Sequence, residues 1–109
     1  MANPYRGEVA LTIEGQSHVM RLTLGALCAL EQELEDRSIA ALVARFESGE
    51  IRMREVLSVL QAGLRGGGAA LTEAELETLQ IDGGAGAAMR LAAQLLRVAF
   101  APPEDAPLG

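Results

Sequence analysis

Apolar and polar residues alternate strictly near the N-terminus. In Glu8-Val9-Ala10-Leu11-Thr12-Ile13-Glu14, Val9, Leu11 and Ile13 share one face, with Glu8, Thr12 and Glu14 on the other. After a break at Gly15-Gln16 the alternation resumes from Ser17 to Leu24, with His18, Met20, Leu22 and Leu24 on one side. Period two on both sides of a short glycine-containing break predicts a β-hairpin. Met20, Leu22 and Leu24 are expected to point inward, and Arg21 and Thr23 outward. A two-stranded hairpin is marginal alone, so its apolar face needs a cover from the rest of the chain.

From Leu24 the spacing becomes helical. Thr23 fits an N-cap, and Leu27, Leu30 and Leu34 form the stripe of a first helix. Ser38 is placed to cap a second helix carrying Ile39, Leu42, Val43 and Phe46, which ends at Ser48-Gly49. A third runs from about Arg52 to Leu64, with Met53, Val56, Leu57, Leu60 and Leu64 on one side. Gly66-Gly67-Gly68 breaks it and reads as a flexible connection. Thr72 with Glu75 makes a capping box for a short fourth helix through Leu76 and Leu79. After Asp82-Gly83-Gly84, a last helix spans Ala85 to about Phe100, its apolar positions being Met89, Ala92, Ala93, Leu96 and Phe100. The fold class is therefore α+β, mostly α: an N-terminal β-hairpin followed by a compact bundle of about five helices. Residues 1–101 are expected to form a single domain, and the proline-containing stretch 102–109 a disordered tail.

Composition narrows the function classes. A chain of 109 residues supports one modest core. Its aromatics are Tyr5, Phe46 and Phe100 alone, so that core must be aliphatic. Nine basic residues, all Arg, stand against fifteen acidic ones for a net charge of -6, which argues against a nucleic-acid partner. Nothing in Met1–Gly15 has the form of a signal peptide. The weakly charged stretch Gly83–Phe100 falls short of the roughly 20 apolar residues a membrane span requires. The expectation is a cytoplasmic protein with no membrane partner.

Candidate chemistry is sparse. Cys28, the single cysteine, excludes an internal disulfide and is expected as a buried structural residue on the first helix. His18, the single histidine, alternates onto the hairpin's apolar side. The clusters Glu31/Glu33/Glu35/Asp36 and Glu73/Glu75/Glu77 lack the alternating oxygen ligands of a calcium loop and read as solvated helix faces. Neither Gly63–Gly68 nor Gly83–Gly86 has the strand-loop-helix context of a phosphate loop. No catalytic, cofactor-binding or metal-ligating residues are predicted, and the chain is not expected to be an enzyme.

Several segments carry a resemblance. Tyr5-Arg6-Gly7-Glu8-Val9 opens the hairpin, and Arg21-Leu22-Thr23-Leu24-Gly25-Ala26-Leu27-Cys28-Ala29-Leu30-Glu31 joins it to the first helix. Ser38-Ile39-Ala40-Ala41-Leu42, Arg54-Glu55-Val56-Leu57, Leu60-Gln61-Ala62-Gly63-Leu64-Arg65 and Leu71-Thr72-Glu73-Ala74-Glu75 follow. Over about residues 5 to 100 the chain resembles the gene transfer agent branch of the phage tail-assembly proteins, described sometimes as tail tube and sometimes as tail assembly chaperone. The resemblance implies a small protein of a prophage-like cluster, acting in tail morphogenesis. As a chaperone it would hold the tape-measure protein, or another tail protein, in the cytoplasm. An apolar groove between Ala/Leu-rich helices would suit a partner helix, and an acidic rim would favour a basic one. The alternative is a structural tail component retained in the particle. Against that stands the mostly helical pattern, since tube subunits usually build rings from extended β-sheet. The candidate partner-binding residues are Leu64, Leu71, Leu79 and Ile81, apolar positions beside the glycine-rich breaks. Self-association is left open.

Overall fold

Residues 2–100 are described by a computed structural model, so the tail expected over 102–109 lies outside the described residues. The hairpin forms as β1 (Glu8–Ile13) and β2 (Gln16–Arg21), antiparallel, with Glu8 opposite Arg21 and Ile13 opposite Gln16. The turn is Glu14-Gly15, one residue earlier than the break expected at Gly15-Gln16. Both turn residues have positive φ, 50° and 82°, which the right-handed twist of a two-residue hairpin loop requires. Val9, Leu11, Ile13 and Met20 are buried on one face, as the alternation predicts, and Leu22 is buried just past the end of β2.

Leu24 departs from that pattern and is 82% exposed. The strand stops at Arg21, and the Thr23 hydroxyl accepts a bond from the Ala26 amide at 3.1 Å, making Leu24 the first residue of α1 (Leu24–Glu33). Once the period changes from 2 to 3.6, Leu24 no longer shares a face with Leu22. α1 buries Ala26 and Leu30, with Leu34 buried just beyond its end, and turns Cys28 to solvent, contrary to the buried cysteine expected from its neighbours.

α2 (Ile39–Ser48) starts at the expected Ser38 cap, whose hydroxyl accepts from the Ala41 amide, and ends at a left-handed Gly49. α3 (Met53–Gly66) lies at the centre of the molecule, packed on β2, α1, α4 (Glu73–Thr78) and α5 (Gly84–Phe100). Val56, Leu60 and Leu64 of its predicted stripe are fully buried, and Val59, Ala62, Gly63 and Ser58 are buried around its other sides. The Thr72/Glu75 capping box of α4 forms as expected, with bonds of 3.1 and 2.9 Å. α5 covers β1, but its buried residues are Ala87, Ala88, Ala92, Leu95 and Leu96. Of its predicted stripe, Met89 and Ala93 are half-buried and Phe100 is 53% exposed.

The Gly66-Gly67 connection is a tight contact rather than a flexible link. A Cβ on Gly66 would overlap the carbonyl oxygen of Arg21, and one on Gly67 that of Val19. The end of α3 thus lies backbone to backbone against β2. On the other strand, Ile81 bridges Ile13, with the Glu14 amide donating to Gln80 O and the Asp82 amide to Thr12 O, each at 2.9 Å. The radius of gyration, 13.4 Å, matches the ~13 Å of a compact chain this long.

Candidate functional site

The segment from Leu79 to Gly84 leaves α4 in extended form, docks on β1 and turns into α5. This path opens an apolar groove of about 740 Å³ between α3, α4 and α5. Its lining includes buried Leu76 and Ala88 and half-buried Leu57. Leu79 and Ile81, both half-buried, and Met53, 43% exposed, form the apolar sides. Gly83, Gly84 and Ala85 keep the α5 side low, and the charged residues lining the groove are the exposed Glu77 and Asp82.

Two of the four partner-binding candidates, Leu79 and Ile81, therefore meet in one site. Leu71 is half-buried against the core away from this groove, and Leu64 is wholly buried inside α3 with no surface to present. The central position of α3 explains Leu64, which lies on the sides of the helix that other elements cover, whereas Arg65 beside it is exposed. Sequence reasoning missed Met53, Leu57, Leu76, Ala85 and Ala88. Met53 and Leu57 stood in the α3 stripe, but nothing local distinguishes a stripe residue at an open helix end from one in the core.

A second, polar pocket of about 410 Å³ lies between α1, α3 and α4. Glu33 and Glu73 face each other across it, and the buried Ser58 hydroxyl donates to Glu73 Oε2 at 2.7 Å. The Glu33 carboxyl is raised above its ordinary range, by desolvation first and then by the Glu73 carboxylate, with Arg65 pulling the other way. Nearby, Arg45 of α2 ties three elements together. Its Nη1 donates to Asp36 at 2.9 Å and its Nε to Glu55 at 3.3 Å, while Glu55 also accepts from the Arg52 amide at the start of α3. The hydrogen bond from Arg45 holds the Asp36 carboxyl below its ordinary range. Among the described residues, no group of three or more His, Cys, Asp or Glu side chains is placed to hold a metal ion, and no helix is long and apolar enough to cross a membrane.

The class defined by this architecture is a small hairpin-and-helix protein with an open apolar groove. A family model described as "Phage tail tube protein, GTA-gp10" matches residues 6–102, and the chain belongs to that gene transfer agent and phage tail family. Membership implies contacts with other tail proteins. No curated protein and no solved structure matches the chain.

Proposed function

We propose that this protein is a tail assembly chaperone that holds the tape-measure protein in the cytoplasm and is absent from the finished tail. On this reading it acts by binding alone, without catalysis. The observation that supports it is the state of the sheet. A subunit that builds a tube through β-sheet must offer strand edges to its neighbours, because unpaired edge N–H and C=O groups template such growth. Among the described residues the sheet has two strands. The outer carbonyls of Val19 and Arg21 on β2 lie against Gly67 and Gly66, and the end of β1 is bridged by Ile81. Most of the remaining surface is helical, and its groove offers apolar side chains instead of backbone.

The family's name, a tail tube protein, favours a second reading, a structural component of the tail tube. Quantitative mass spectrometry of purified particles and producing-cell cytosol separates the two. The chaperone reading expects abundance in cytosol and absence from particles. Presence in particles at a stoichiometry matching the tail rings overturns it.

A further inference from the structure

We infer that the groove between α3, α4 and α5 is the docking site for an amphipathic helix with lysine or arginine beside its apolar stripe. This rests on the chaperone reading and locates its binding surface. Charge decides the flanks of the occupant: the groove lining carries Glu77 and Asp82 and no basic residue, on a chain of net charge -6. Backbone geometry decides its conformation. An added strand would need free hydrogen-bonding groups along the groove, yet Gln80 O and Asp82 N are already bonded to β1, and Ile81 O accepts from the Gly84 amide at 2.9 Å. What remains open is a row of side chains, which a helix reads with apolar residues at i, i+3 or i+4, and i+7.

Two local features suit that occupant. Gly83, Gly84 and Ala85 project little from the α5 side, so a helix backbone can approach closely. Met53, unbranched and partly exposed, adapts its shape to differing apolar residues. A second copy of this chain fits poorly. Symmetric pairing through the groove would set one acidic lining against another.

The test uses the full chain and overlapping peptides tiling the tape-measure protein of the same tail, with binding read by fluorescence anisotropy. Two variants probe the groove without touching the core. Ala85→Trp fills it from an exposed position, and the double variant Glu77→Lys, Asp82→Lys reverses its charge. Circular dichroism melts confirm that both still fold. The expected result is a bound peptide with basic flanks, at least about tenfold weaker binding by Ala85→Trp, and a preference reversed by the double variant toward the same peptide carrying Glu flanks. Equal binding by wild type and both variants overturns the groove assignment while leaving the chaperone reading standing. Failure of wild type to bind any peptide also overturns it, and the particle measurement then judges the chaperone reading separately. Concentration-dependent dimerisation abolished by Ala85→Trp assigns the groove to a second copy and overturns the proposal.

Discussion

At the scale of single residues, two glycines with similar sequence surroundings do opposite work. Gly66 sits where any Cβ meets the Arg21 carbonyl, and neither backbone can retreat without unseating β2 from α3. Gly86 lies exposed in α5 with no atom near the position of its missing Cβ. Gly66→Ala is expected to destabilise by about 1–3 kcal/mol through overpacking. Gly86→Ala is expected to stabilise by roughly 0.5–1 kcal/mol, because it lowers the backbone entropy of the unfolded chain. Denaturant melts of the two variants give the comparison, and loss of the sign difference removes the close-contact account of Gly66. In the sequence Gly66 reads as part of a flexible break and Gly86 as part of the last helix, with nothing to mark a close contact at either. Steric demand at Gly66 comes from a strand some forty-five positions earlier in the chain, and no local pattern reports it.

At the scale of elements, Arg45 joins the α1–α2 loop, α2 and the start of α3. Asp36 is largely exposed, so its ion pair contributes little by itself. The Glu55 side chain is 16% exposed and would lose its cation in Arg45→Gln, a change expected to cost about 1–3 kcal/mol at neutral pH. The Asp36 contribution has a definite pH sense. Its carboxyl is lowered in the folded state, so the stabilisation is present above the ordinary value of 3.8 and is lost as pH falls through the folded value. Carboxyl NMR titration is expected to show Asp36 moving up to its ordinary range in Arg45→Gln. An unchanged titration rules out Arg45 as the cause. Glu33 runs the other way: its carboxyl is raised, so its contribution is fully present below the ordinary 4.5 and lost as pH rises through the folded value. The capping residues Thr23, Ser38 and Thr72 were legible from sequence because capping is local. The facing of Glu33 and Glu73 was not, because it depends on how α4 is laid across α3.

For the whole molecule, the partly covered strand edges and the acidic surface work in one direction. Among the described residues part of each strand edge is already occupied, which hinders sheet growth, and a net charge of -6 repels copies of the chain at low salt. The purified protein is expected to stay a small species across a wide concentration range in sedimentation velocity, without forming tubes or rings. Spontaneous assembly into tubes contradicts this and favours the structural reading.

The residues by themselves determined the hairpin, the order of five helices, their caps and the family to which the chain belongs. The elements and caps rest on information held within a few positions (a period of 2 or 3.6, a capping hydroxyl, a turn glycine), and the family on segments spread along residues 6–102. Only the tertiary structure decided which apolar residues remain open to a partner. Leu64 and Leu79 look alike along the chain, yet one is enclosed because α3 runs through the centre and the other lines a groove because the chain leaves α4 along β1. Burial is set by what packs against a residue from elsewhere, and so are the exposure of Cys28 and the closeness of the Gly66-Gly67 contact.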